Sequence, residues 1–205
     1  MGIIKKFFSA NIVIALSTFT LLFLLKSPAL DIPHFGDSAA YDLTHALWLK
    51  THNFDIFPVD PNFHGLHPPL SYLIFAIFYK AFGTSLKTGH MVAIIFSSLT
   101  LYFTYKIGSF VGNNKRTGLI AALLLLCSAL FFAQSGIAQM EVVFTTFVTI
   151  TIYFALKEEI LPYLVSAACM VLTKMPSIIF LAVIISFEFY RYNGHRGGKH
   201  MFQSI

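Results

Sequence analysis

The chain has 205 residues, of which 57% are hydrophobic and only 11% charged, and its mean hydropathy is +0.74. A soluble domain cannot cover that much apolar surface with so few polar side chains, so composition excludes one and points to an all-α integral membrane protein. The net charge of +5 then reads as membrane topology, and no basic segment interleaved with aromatics suggests a nucleic-acid partner.

The N-terminus, "MGIIKKFFSANIVIALSTFTLLFLLK", opens on Lys5 and Lys6 and continues into an apolar stretch over 7–25. That stretch is long enough to span a bilayer, and no small-x-small cleavage site follows it. It predicts an uncleaved first helix with its lysines in the cytoplasm. After Lys26 the composition changes. Residues 27–67 hold Pro28, Pro33, Pro58 and Pro61, together with Asp31, Asp37, Asp42, Asp55 and Asp60, five of the nine acidic residues. Within this polar segment "DSAAYDLTHALWLKT" begins with an N-cap signal. Leu43, Ala46 and Leu47, with Ala39 and Ala40, fall at helical spacing, which predicts an amphipathic helix over 38–50 lying in the interface with Trp48 as anchor.

The next apolar run, "HPPLSYLIFAIFYKAFG", offers only about 14 residues over 69–82, nearer the length of an interfacial helix than of a span. Four apolar runs follow, over 90–112, 117–137, 141–156 and 160–190. "TKMP" interrupts the last at 173–176, as two helices or one kinked helix would. If 69–82 does not span, Lys5, Lys6, Lys115, Arg116, Lys157 and the basic tail from Arg191 to Lys199 all face the cytoplasm, as the positive-inside rule requires; if it spans, Lys115 and Arg116 fall outside. The chain is therefore expected to form one membrane domain over 1–205. It would have about six transmembrane helices, cytoplasmic termini and an extracytoplasmic first loop over 27–88 carrying juxtamembrane helices. The loop, the turn at 139–141 and the "TKMP" break would all gather on the outer face.

Several polar residues stand out against this background. Asp37 follows a glycine and precedes the amphipathic helix, where simple N-capping is the everyday role. Glu141 heads a span with no basic neighbour in sequence, a costly position unless the carboxylate is hydrated, paired or used, although a helix N-terminus offsets part of the cost. Lys174 is isolated in an apolar run and either snorkels to water or meets an anionic group. His64 and His67 lie three apart, a weak metal signal beside Gly65 and two prolines; His67 is also readable as a polar lead-in to a helix begun by proline. Cys127 and Cys169 sit in apolar runs as small hydrophobes with no disulfide or metal spacing.

The order "DSAAY", "HPPLSYL", a basic cytoplasmic turn, an acidic residue heading a span and then "LTKMP" resembles the catalytic half of the GT-C membrane glycosyltransferases. The resemblance is nearest to the protein O-mannosyltransferase and aminoarabinose-transferase superfamily, with its bacterial Rgt-like members. It implies transfer of a sugar from a polyprenyl-phosphate donor to an acceptor at the extracytoplasmic face. It also implies Asp37 as the catalytic carboxylate, Glu141 as the second acid, Lys174 as partner of the donor phosphate and His67 as a phosphate- or metal-proximal group, with Tyr41 and His64 lining the site. A divalent metal cation is the alternative to Lys174 as the neutralising charge. Such a protein would sit in a bacterial or archaeal plasma membrane, or in an endoplasmic-reticulum membrane. Ser38 stands where the family commonly carries a second acidic residue, "TKMP" lacks the family's glycine, and family members are usually at least twice as long. A truncated, non-catalytic module binding lipid or a partner is the competing expectation. A small transporter fits less well, because its polar residues belong in mid-span rather than at one face.

Overall fold

The computed structural model describes residues 2–56 and 67–197, and side chains within 11–56 and 67–189; His64 and residues 198–205 lie outside the described residues. Nine α-helices and two short helical turns make up the described residues, without a strand. Helix α1 is Gly2–Lys26, and a 3₁₀ turn, Ser27–Ala29, ends it at Pro28. A π-helical turn, Ser38–Asp42, runs into α2, Leu43–Thr51. Helix α3 is Leu70–Phe82, α4 is Leu86–Val111, α5 is Lys115–Cys127 and α6 is Ala129–Gln134. Helix α7 is Met140–Lys157, α8 is Ile160–Val171 and α9 is Ser177–Gly197.

Among the described residues, three segments can cross a membrane by length and composition: Asn11–Ala29, Leu86–Val111 and Met140–Lys157. The run expected over 117–137 is divided at Ser128, whose extended backbone (φ −65°, ψ 122°) separates α5 from α6. The "TKMP" ambiguity resolves into two helices, with Lys174 in the non-helical break between α8 and α9. Pro176 lies one residue before α9, a position that suits a residue without an amide donor.

Two contact sets fix the direction of the long helices. At one end the Lys26 ammonium lies over the Phe132 ring and donates to the Phe132 carbonyl. There too His90 reaches Gly136 O at 2.5 Å and Ile32 O at 2.9 Å. At the other end Lys157 Nζ lies 4.7 Å from the Phe110 ring centroid. The starts of α4 and α7 are therefore together, as are their ends, and the two helices run parallel with α5 and α6 returning between them. Thr146 stitches them through hydrogen bonds with Thr100 Oγ1 (2.9 Å) and Phe96 O (2.9 Å), an internal satisfaction of polar groups that lipid could not supply. Helices α4 and α5 approach closely at Gly118, where a Cβ would overlap Ser109 Oγ and the Tyr105 carbonyl, the small-residue packing expected of membrane helices.

The amphipathic helix expected over 38–50 forms with a different buried face. Leu43, Ala46 and Leu49 are buried against Tyr72, Phe75, Ala76 and Tyr79 of α3, whereas Ala39, Ala40 and Leu47 are exposed. The π turn advances the chain by one residue relative to α-helical register, so the face over 38–42 is not the one a 3.6-residue period extrapolates. Trp48 stacks on His52 (centroids 4.3 Å apart, 12°) and packs against the same core. It is thus a protein contact before it is an interfacial anchor.

Candidate functional site

The site lies at the end of the bundle where the starts of α4 and α7 meet. Asp42 ends the π turn and is 1% exposed. Its Oδ2 accepts a hydrogen bond from Met140 N at 3.0 Å, capping α7 from another segment, since Gln139 makes no side-chain cap of its own. Four residues earlier, Ser38 Oγ donates to Ala138 O at 2.6 Å. A carboxylate in place of buried Ser38 would face that carbonyl, an acceptor against an acceptor. The departure from a paired-acid motif is thereby accommodated by the packing.

Glu141 occupies the first turn of α7, and its Oε1 accepts from Lys174 Nζ at 2.6 Å. The double proline finds its place here as well. Pro68 and Pro69 carry no amide hydrogen, so Leu70 N is an early free donor of α3, and it bonds to Leu172 O at the C-terminal end of α8 (3.0 Å). An orphan donor of one helix end meets an orphan acceptor of another. This brings His67 and the "TKMP" break beside α7.

A cavity of about 220 Å³ opens between these segments, lined by Asp37, Tyr41, Asp42, His45, His67, Tyr72, Met140, Glu141 and Lys174. Five of the six residues singled out in the sequence, Asp37, Tyr41, His67, Glu141 and Lys174, thus line one cavity; the sixth, His64, is outside the described residues. Asp37 is exposed, and its side chain makes no cap hydrogen bond, so the everyday N-cap role expected for it is not what the structure contains. A smaller cavity of about 30 Å³, lined in part by Ser97, Thr100, Gln134 and Thr145, reaches Glu141 from within the bundle and has room for about one water.

Burial pushes the Asp42 carboxyl up to about 7; the Met140 amide pulls it down, and the Glu141 and Asp37 carboxylates add to the rise. Burial likewise lowers the His67 imidazole below its usual range, and the Lys174 ammonium adds to the effect. Its Nδ1 is buried without a hydrogen-bond partner. A divalent cation fits this donor set poorly. Lys174 occupies Glu141, Met140 occupies Asp42 Oδ2, Ser38 supplies no charge, and among the described residues no three His, Cys, Asp or Glu side chains are placed to hold one metal ion together.

Asp42, His45 and Tyr72 escaped the sequence reading. His45 stacks on Tyr72 with centroids 4.9 Å apart at 21°, a contact between distant segments that leaves no sequence signal. Asp42 did leave one: it stands four and seven residues before the buried Ala46 and Leu49, an acid on the apolar face of its own helix.

Fold and site define an all-helical integral membrane protein with a carboxylate- and lysine-lined cavity at one end of its bundle. Residues 66–196 match the model of the dolichyl-phosphate-mannose-protein mannosyltransferase family, and the chain belongs to that family. It is also 32% identical over 120 residues to an uncharacterized protein of Aquifex aeolicus (strain VF5), a match covering 54% of this chain and 23% of that protein. The chain therefore spans well under half the length of this relative. No solved structure matches significantly.

Proposed function

We propose that the chain carries the reaction site of a glycosyltransferase that moves a sugar from a polyprenyl-phosphate donor to an acceptor hydroxyl at the extracytoplasmic face of a bacterial or archaeal plasma membrane, or of an endoplasmic-reticulum membrane. The observation that carries this reading is the convergence of Asp37, Glu141 and Lys174, from three separate segments, on one cavity. Asp37 accepts the proton of the acceptor hydroxyl as its oxygen attacks the anomeric carbon. The bond from that carbon to the phosphate oxygen breaks, and polyprenyl phosphate leaves with its negative charge beside Lys174. Configuration at the anomeric carbon inverts, because attack and departure occur on opposite faces. Glu141 holds Lys174 before the donor arrives, and His67 offers a neutral hydrogen bond to the phosphate.

The donor lipid is confined to the bilayer, so a site at the end of the bundle meets it where its headgroup lies. In this reading α5 with α6, α8 and α9 also cross the membrane, giving six crossings, and α2 and α3 floor the cavity in the interface. The 1–205 segment forms one membrane domain, the N-terminal part of a longer family architecture.

The test uses the full chain in lipid nanodiscs with polyprenyl-phosphate mannose and a membrane extract as acceptor source, following release of polyprenyl phosphate. The parent protein is expected to turn over donor and Asp37→Asn to lose at least 100-fold of that rate, as loss of a positioned base entails (about 10²–10⁴). Equal rates would remove Asp37 from the mechanism. Absence of turnover in the parent would favour a lipid-binding module over an enzyme.

A further inference from the structure

Resting on the donor reading above, we propose that Asp42 contacts the transferred sugar, its Oδ1 accepting a hydrogen bond from a sugar hydroxyl while its Oδ2 stays on α7. The carboxylate is 1% exposed and lines the cavity. Oδ2 is engaged by Met140 N, whereas Oδ1 is buried and has no hydrogen-bond partner. A buried acceptor left unpaired is expensive; without a ligand it is relieved by a proton of its own or by a cavity water, and with one by the donor the ligand brings.

The free acid with its carboxyl pushed up to about 7 is one solution without a ligand; the bound sugar is the solution with one. Cavity size selects the ligand group. About 220 Å³ gives room for a group the size of one sugar ring. Charge narrows it further. Asp37, Asp42 and Glu141 face one Lys174, so a hydroxyl-bearing neutral sugar suits the cavity and a carboxylated one does not.

Fixing Oδ2 on the first amide of α7 also sets Asp42 relative to Glu141, the next residue of that helix. Phosphate recognition by Lys174 and sugar recognition by Asp42 therefore share one rigid element, the arrangement that holds a site to fixed geometry.

The experiment measures binding of two lipids, bare polyprenyl phosphate and polyprenyl-phosphate mannose, to the full chain in nanodiscs. The parent is expected to prefer the mannosylated lipid by on the order of tenfold to a hundredfold, the range for a hydrogen bond to a charged group. Asp42→Asn keeps an acceptor for Met140 N but turns a donor toward the sugar; it is expected to abolish the preference while bare-lipid binding is unchanged. Lys174→Gln is expected to weaken both lipids equally.

If Asp42→Asn keeps the preference, or loses both lipids together, Asp42 is a structural cap and the proposal fails while the donor reading stands. If the parent binds neither lipid, the donor reading fails and takes this one with it. Deoxymannosyl lipids on the parent give the same answer without a protein variant. One deoxy position must reproduce the loss, and if none does the proposal is overturned.

Discussion

Lys174 and Glu141 stand 33 positions apart in the chain and 2.6 Å apart in space. Their side chains retain 21% and 38% exposure, so the pair is half-buried and contributes on the order of 1 kcal/mol, the upper end of the range for ion pairs that water still screens. Its effect on the proposed transfer is larger, because that reaction places Lys174 beside the leaving phosphate. Lys174→Gln is expected to lower the turnover rate by about 10²–10³-fold, as for loss of one charge-stabilising donor, with a melting temperature shifted by only a few degrees. The double variant Glu141→Gln with Lys174→Gln is expected to be little worse than Lys174→Gln alone, since coupled residues are not additive. Rate measurements on the three proteins check this; full additivity would show that the two residues act independently.

Asp37 supplies a contrast between roles. An N-cap aspartate replaced by alanine costs about 0.5–2 kcal/mol, but Asp37 is exposed and makes no cap hydrogen bond. Asp37→Ala is therefore expected to change unfolding free energy by less than about 0.5 kcal/mol, measured by denaturant titration in detergent. A loss at the N-cap level would mean that the aspartate serves the helix.

The architecture was legible in the sequence where periodicity and charge dominate, and obscure where neighbours decide. The apolar run and charge pattern located α4 and α7 to within a few residues, and the length of "HPPLSYLIFAIFYKAFG" anticipated the short α3. The break at Ser128 and the choice between one helix and two at "TKMP" depend on tertiary packing, which local propensity does not contain. Of the site, Asp37, Glu141 and Lys174 stood out because ionisable groups are rare in such a chain. Asp42 lies four and seven residues before Ala46 and Leu49 on the apolar face of its helix, but within an acid-rich segment where one more aspartate does not stand out. The Asp42–Met140 and Leu70–Leu172 contacts join main chain to distant partners, and main-chain donors carry no residue-type signal.

Asp42 makes stability depend on pH in an unusual direction for a carboxylate. Its folded value near 7 lies above the ordinary value near 4, so between pH 4 and 7 the folded state binds more protons than the unfolded one. Stability from this group is fully present below about pH 4, falls as pH rises and is lost above about 7, by up to about 4 kcal/mol. His34 works against it. Burial, followed by His90, lowers its imidazole to about 4, so over pH 4–6.5 it adds stability as pH rises. The parent is expected to show a nearly flat profile between pH 4.5 and 6.5, and Asp42→Asn a rising one, with greater stability than the parent at pH 8. Thermal unfolding in detergent across that range checks it; parallel profiles would mean that Asp42 ionises as freely in the folded protein as in the unfolded one.

The orientation of the bundle follows from which charges share an end. Lys157 packs on Phe110 at the end of α4 and Lys115 begins α5 a few residues later, whereas Lys87 pairs with Asp31 (3.4 Å) at the opposite end. The proposed orientation places the first end in the cytoplasm, as the positive-inside rule favours. With Cys127 and Cys169 replaced by serine, a cysteine at position 115 is expected to react with a membrane-impermeant maleimide only after the membrane is opened, and one at position 87 in intact cells. Position 80 is the discriminating site: if α3 lies on the outer face, a cysteine there labels in intact cells with position 87. Labelling of position 115 from outside would instead make α3 a crossing helix and reverse every later one, moving Lys157 to the outer side.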